Sequence, residues 1–276
     1  MDRGRLCPRV YLILLDERVQ VQSFGSMDSL LPAEGGSMAL LTGEKLDDPY
    51  LALLAEARRS QKEATIEILR AASGSGSIPH LMRDAGDRAG RYGDGALRIS
   101  PPVLPLACKR GCYHCCWATV GVVAPEAIYL AEGLRAQLPQ GELSALTDRA
   151  ENQGQRLQQM NRGERLDARM PCALLRDGGC SAYQNRPLVC RWACSSSLQA
   201  CLDLLVHRTK KYLEMEEVRY QPTQEVWLGL RAGLKELGLD GSLLALNSAL
   251  AIALADPRIA QRYLSGEPVF DDARLE

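Results

Sequence analysis

The stretch ACKRGCYHCCWA, residues 107–118, places four cysteines and a histidine in one short segment of the chain. The thiols belong to Cys108, Cys112, Cys115 and Cys116, and His114 lies among them. Closely spaced cysteines can form disulfides, bind metal, supply a catalytic nucleophile or simply lie buried. The remainder of the sequence must distinguish among these four possibilities.

A second group of cysteines follows farther along the chain, whereas Cys7 stands alone near the start. Its members are Cys172, Cys180, Cys190, Cys194 and Cys201. Two thiolates on one tight turn can face a single ion, and a distant second group can complete a tetrahedral shell. Side chains of adjacent residues point in opposite directions in an extended backbone. The pair Cys115 and Cys116 therefore requires either a kinked backbone or separate roles for the two sulfurs.

Composition limits the class of protein. The chain has 276 residues, long enough to bury a hydrophobic core without disulfides, and a formal net charge of −1. This charge disfavours a nucleic-acid partner. The apolar run at residues 10–15 is too short to cross a membrane and leads directly into charged residues, and no secretory signal is recognisable. We expect a soluble, cytoplasmic protein that does not associate with membranes, in a reducing compartment that keeps its thiols free.

The fold class is predicted to be mostly α, a helical domain with cysteine-rich irregular loops forming a metal site. The only phenylalanines, Phe24 and Phe270, lie in the tails, so leucine and alanine must build the core, and these residues favour helices. A helix is expected after Asp48-Pro49, with apolar residues at 51, 54, 55, 66 and 69. Further helices are predicted over 125–138, 142–162, 198–212, 224–237, 242–255 and 257–264.

Five segments follow from this pattern. Residues 1–47 lack sustained periodicity and are predicted to be a disordered leader. An N-terminal helix occupies 48–72. Residues 73–104 are expected to be a linker and loop, because SGSGS, scattered glycines and SPPVLP disfavour regular structure. The cysteine-rich metal-binding domain covers 105–203, and a C-terminal helical region, 204–276, packs on it.

Metal binding explains the cysteines better than its rivals. A reducing compartment disfavours disulfides. A nucleophile needs a base, for which only His80, His114 and His207 are available, and it does not need so many thiols. A redox switch generally uses one attacking and one resolving cysteine. Thiolates suit both zinc and iron, including an iron–sulfur cluster. No catalytic residue can be assigned, since the chain has no glycine-rich nucleotide loop and no HExxH, so binding is favoured over catalysis.

Two stretches, ACKRGCYHCCWATVGVVAPEA and MPCALLRDGGCSAYQNRPLVCRW, resemble the CxxCxxCC family of zinc- or iron-chelating proteins, often called YkgJ-like. The shared features are a Cys-Cys pair, a helix that starts with Pro-Glu, a Pro-Cys, a Cys followed by Tyr, and an Arg-Pro before Cys-Arg. The resemblance covers about residues 105–203. Flagellin lysine-N-methylases have a similar cysteine arrangement, thought to hold an iron–sulfur cluster. An iron–sulfur enzyme or redox protein is therefore the alternative function.

The resemblance implies eight metal ligands and leaves Cys194 as an extra thiol. The implied ligands are Cys108, Cys112, Cys115, Cys116, Cys172, Cys180, Cys190 and Cys201. One departure is the spacing of Cys108 and Cys112, which are separated by three residues where the family has two. His114 is expected to cover the site rather than bind.

Other side chains are expected to support the ligands. Arg186-Pro187 should form a rigid turn that aims Cys190, with Arg186 or Arg191 donating hydrogen bonds to sulfur or carbonyl oxygens. Trp117 and Trp192 are expected to shield the metal from water.

Overall fold

The computed structural model describes residues 48–71, 74, 76–102, 104–109, 111–208 and 215–275. The predicted disordered leader at 1–47, including Cys7, lies outside the described residues. The described part is mostly helical, which confirms the predicted fold class at that level. Among the described residues, no helix has the length and apolar character needed to cross a membrane.

Three long helices pack together, two from the first part of the described chain and one from its last part. They are α1 (Pro49–Ala71), α2 (Ser77–Ile99) and α8 (Glu217–Glu236). The helix predicted at 48–72 is confirmed, but its fully buried face carries Ala57, Gln61, Ala64 and Thr65 rather than the apolar positions expected from the sequence, and Leu51 is exposed.

Two glycines of α8 explain why α1 buries small and polar residues. A methyl group at Gly229 would collide with the Arg58 carbonyl oxygen, and one at Gly233 would lie 2.6 Å from the Thr65 Cβ. The two backbones approach so closely that large side chains do not fit between them. The leucines of α1 are consequently exposed or only partly buried.

The loop predicted over residues 73–104 is wrong for most of its length, because α2 occupies Ser77–Ile99. Glycine lowers helix propensity, and α2 contains four glycines. Tertiary packing offsets this cost. A methyl group at Gly93 would lie 3.6 Å from the indole of Trp192, and one at Gly95 would lie 2.9 Å from a Leu53 methyl. The glycines therefore allow α2 to approach two other elements.

The remaining core is built around α9 (Leu246–Ala255), which packs against α3 (Ala124–Gln137) and α4 (Gln140–Gln158). Strands β1 (Gly121–Val122) and β4 (Leu244–Ala245) pair antiparallel, with Gly121 opposite Ala245. Alanine and leucine dominate the buried residues, as predicted. Phe270 lies near the end of the chain, yet it is fully buried beside Tyr263. Two short helices complete this region, α5 (Arg162–Asp167) and α10 (Ile259–Leu264).

The cysteines occupy several kinds of local structure, so the expectation of irregular loops holds only in part. Cys115 and Cys116 lie in a 3₁₀ turn, His114–Trp117. Strand β2 (Leu175–Arg176) pairs with β3 (Gly179–Cys180) in a short hairpin. Cys190 lies in helix α6 (Leu188–Trp192) and Cys201 in helix α7 (Leu198–Leu205). The predicted helix 198–212 therefore ends earlier, since its residues 206–208 are not helical, and 209–214 lie outside the described residues.

Candidate metal centre

Backbone hydrogen bonds hold the two cysteine segments together. The N–H of Cys172 donates to the Cys116 carbonyl oxygen at 2.7 Å, and the N–H of Ala107 donates to the Ser195 carbonyl oxygen at 2.9 Å. In return, the N–H of Ser195 donates to the Cys108 Sγ at 3.3 Å. Residues 107–118 are thus attached to the 172–201 region at both of their ends.

Four thiols form a set that we call the Cys115 group. Its members are Cys115, Cys172, Cys180 and Cys190. The thiols of Cys172, Cys180 and Cys190 each interact electrostatically with that of Cys115, although they come from a loop, a strand and a helix. Cys116 hydrogen-bonds to its neighbour Cys115. The tight 3₁₀ turn, rather than an extended backbone, brings these adjacent sulfurs together.

Four further thiols surround Cys108, and we call them the Cys108 group. Its members are Cys108, Cys112, Cys194 and Cys201. Cys112 hydrogen-bonds to Cys108, and both Cys194 and Cys201 interact with Cys108 electrostatically. The two groups are neighbours, since Cys108 and Cys201 also interact with Cys115.

Burial raises the pKa of most of these thiols. It raises the pKa of Cys172 to about 12 and those of Cys194 and Cys201 to about 11. The hydrogen bond with Cys116, followed by burial, raises the pKa of Cys115. Desolvation has the same effect on the pKa of Cys190, with added repulsion from neighbouring thiolates. A cation placed among the sulfurs would remove this repulsion, so metal binding and proton release are coupled.

Two backbone amides favour the ionised form of their cysteines. The N–H groups of Leu174 and Ala182 hydrogen-bond the sulfurs of Cys172 and Cys180, two residues earlier, and partly offset the effect of burial on the pKa. Hydrogen bonds to sulfur orient metal ligands and reduce their excess negative charge. Both thiols therefore ionise more readily than burial alone would allow.

Arginines beside the cysteines act mainly through the backbone and through charge. Arg186 donates to the Tyr183 carbonyl oxygen at 3.0 Å, and its guanidinium lies 3.6 Å from the centre of the Tyr183 ring. Its charge lowers the pKa of Cys180, against the larger effect of burial. Arg191 donates to the Arg186 carbonyl oxygen at 2.9 Å. Of the two acceptors predicted for these arginines, the structure shows carbonyl oxygens.

The flanking aromatic residues do not share one role. Trp117 is 39% exposed. Trp192 faces Gly90 and Gly93 of α2. His114 stacks on Tyr113, with ring centres 5.1 Å apart.

A buried carboxylate, Glu126, was noted in the sequence only as part of a Pro-Glu pair. Its Oε1 accepts a hydrogen bond from the Leu188 N–H at 2.9 Å, at the start of α6. Its Oε2 accepts from the Val123 N–H at 3.0 Å and from the Trp227 indole at 3.1 Å. Burial raises the pKa of Glu126, while these three donors lower it. Glu126 thereby connects the helix that bears Cys190 to α3 and α8.

The donor set fits a thiophilic metal, although its sulfurs are not drawn into a closed shell. Among the described residues, no three His, Cys, Asp or Glu side chains converge as a ready coordination site. All nine described cysteines are free thiols, eight of them partly buried and Cys201 fully buried. Clustered thiols of this kind suit zinc or iron. The residues that could hold such an ion are the Cys115 and Cys108 groups together with Cys116.

Comparison with known proteins confirms the resemblance recognised from the sequence, over less than half of the chain. Residues 107–218 match the family CxxCxxCC, described as "Putative zinc- or iron-chelating domain". The matched segment includes all nine described cysteines and ends in the first turn of α8. No curated protein and no solved structure gives a significant match to the chain.

Proposed function

We propose that this chain chelates zinc or iron through the thiolates of residues 108–201, without catalytic chemistry of its own. The observation that carries the proposal is the joining of the two cysteine segments by hydrogen bonds, which brings residues 107–118 beside Cys172 and Ser195. The family description supports metal binding at this coarser level. The implied ligands are Cys108, Cys112, Cys115, Cys116, Cys172, Cys180, Cys190 and Cys201.

The metal would connect separate elements of the chain that carry the cysteines. Cys190 lies on α6, whose first N–H is bound by Glu126, and Cys172 and Cys180 flank the β2–β3 hairpin. A shared ion would fix these elements against the 3₁₀ turn that carries Cys115. When bound, zinc supplies structural cross-linking, whereas an iron–sulfur centre would also supply electron transfer.

Reduced thiols are a requirement of the proposal. All nine described cysteines are unpaired, as a cytoplasmic location would maintain them. The chain's own residues prepare the thiolates in two ways. The N–H groups of Leu174 and Ala182 bind sulfur, and the charge of Arg186 acts on Cys115 and Cys180.

The test is to purify the full chain anaerobically and measure zinc, iron and acid-labile sulfide per chain. Bound zinc or iron that is lost in the Cys190→Ser variant supports the proposal. A brown protein that contains sulfide would favour the iron–sulfur alternative. A chain that retains no metal under these conditions, and takes up none when zinc is added, would refute metal chelation.

A further inference from the structure

Two adjacent residues at the start of α9 hold the two cysteine segments. The N–H of Leu246 donates to the carbonyl oxygen of Val120, just beyond the first segment, at 2.9 Å. The side-chain Oδ1 of Asn247 accepts the N–H of Ala173, the residue directly after Cys172, at 3.1 Å. The pairing of β1 with β4 fixes the place from which α9 starts. One turn of a C-terminal helix therefore contacts both parts of the candidate metal centre.

The backbone N–H groups of residues 172–175 all have acceptors in the structure. The first donates to the Cys116 carbonyl oxygen at 2.7 Å, the third to the Cys172 sulfur, and the fourth to the Cys172 carbonyl oxygen at 2.9 Å. The second, from Ala173, donates to Asn247. Ala173 is 1% exposed, so its N–H needs an acceptor from the protein. The bond to Asn247 is the one that ties this turn to α9.

Asn247 also lies beside Cys172 itself. The two residues line the same cavity of about 10 Å³, together with Ala118 and Thr119 at the end of the first cysteine segment. An N–H donor requires the oxygen of a carboxamide, so the bond to Ala173 fixes which way the Asn247 amide is turned. The amide is uncharged and adds no repulsion to a nearby thiolate. Asn247 can therefore hold the turn without opposing ionisation of its cysteine.

From these contacts we infer that Asn247 is a positioning residue for Cys172, holding the turn in the form that presents its thiol to metal. The inference rests on the proposed function, in which Cys172 is a ligand. It adds to the metal centre a residue that lies beyond the matched segment, 107–218. Replacing a residue that orients a ligand typically costs about 10–100-fold in metal affinity. The C-terminal helices are then part of the site rather than a separate support.

Zinc affinity of three full-length variants tests the inference, measured by competition with a chromophoric chelator. Asn247→Leu removes the acceptor and leaves the buried Ala173 N–H unpaired, whereas Asn247→Asp keeps an oxygen in its place. Ser248→Ala is the matched control, since it alters the next residue of α9, which packs on Gly154 of α4. We expect Asn247→Leu to bind zinc about tenfold more weakly or worse, and the other two to bind it as the wild type does.

Thiol alkylation of the reduced, metal-free protein separates positioning from a general loss of stability. The modified cysteines are identified and timed by mass spectrometry. In Asn247→Leu, Cys172 should react severalfold faster than in the wild type, while Cys201, which packs in a separate cluster with Leu204 and Leu205, should react at an unchanged rate. Equal acceleration of both thiols, or wild-type zinc affinity in Asn247→Leu, would overturn the positioning role. A wild type that binds no zinc would instead refute the proposed function.

A measurement on the wild type covers the case in which Asn247→Leu does not fold. Amide hydrogen exchange of the metal-free protein is followed residue by residue by NMR. The Ala173 N–H should exchange more slowly than in an unfolded chain, because its acceptor is a side chain of α9 and is present without metal. An Ala173 amide that exchanges as fast as in an unfolded chain would overturn the inference.

Discussion

Glu126 and Trp227 are joined by a buried hydrogen bond of 3.1 Å between the carboxylate and the indole N–H. The same carboxylate accepts the N–H of Leu188 at 2.9 Å, at the start of the helix that bears Cys190. A single side chain therefore connects the candidate metal centre to α8, and through α8 to the N-terminal helices. This connection does not require metal.

Replacing Glu126 by glutamine should destabilise the fold. All three partners are N–H donors, and the glutamine NH₂ group would face at least one of them without an acceptor. We expect a loss of about 1–3 kcal/mol in the free energy of unfolding, measured by urea denaturation. Glu132→Gln, in the same helix, is the control and should lose less, because its side chain is partly exposed. Equal effects of the two changes would contradict this role for Glu126.

Placing a methyl group on α8 at Gly229 should separate α8 from α1. An added Cβ would collide with the backbone carbonyl oxygen of Arg58, which a rotamer change cannot relieve. We expect Gly229→Ala to destabilise the protein by about 1–3 kcal/mol in urea denaturation. Gly141→Ala serves as the control, since nothing lies within 4 Å of its added methyl group. A Gly229→Ala protein as stable as wild type would show that the two helices do not pack as described.

Stability of the metal-free protein should fall at alkaline pH. The ordinary thiol pKa is 9.0, and burial raises the folded values to about 11 for Cys194 and Cys201 and about 12 for Cys172. As the pH rises past 9.0, the unfolded chain therefore releases protons before the folded one. Stability from this source is complete below that pH and is lost as the pH approaches the folded values.

Denaturant unfolding of reduced, metal-free protein between pH 8 and pH 11 would measure this decline. Zinc-loaded protein is the control, because its bound thiolates have already lost their protons. A metal-free stability that stays constant across this range would mean that the thiols are solvated in the folded state.

Metal removal should loosen the cysteine segments and leave the contact between α1 and α8 intact. That contact depends on the small side chains around Gly229 and Gly233, which contain no sulfur. Hydrogen exchange after chelation should therefore increase over residues 107–118 and 172–201. Protection of α1 should change little. A uniform rise in exchange along the chain would show instead that the whole fold depends on metal.

The sequence was sufficient to predict the helices whose signals are local. Asp48 and Pro49 mark the start of α1, and Pro125 marks the first turn of α3. Helix α2 was missed because its glycines read as breakers in isolation. These glycines are explained by tertiary packing, since Gly90 and Gly93 face Trp192, about a hundred residues later in the chain. Local propensity contains no information about a partner at that distance.

The candidate site was predictable in its residue types and not in its grouping. Cysteine spacing identified a metal-binding segment, and the family match agrees with it. Spacing alone could not show that Cys194 lies beside Cys108, because Ser195 brings these segments together through an N–H to sulfur hydrogen bond. The sequence also did not predict that Glu126 connects separate elements. Its partners Leu188 and Trp227 come from distant parts of the sequence.

The hydrogen bond from the Cys172 N–H to the Cys116 carbonyl oxygen closes residues 116–172 into a loop that contains α3, α4 and α5. The polypeptide leaves the cysteine region after residue 118, builds part of the core, and returns to the same place. A protease cut within that loop would therefore leave the two cysteine segments attached to each other.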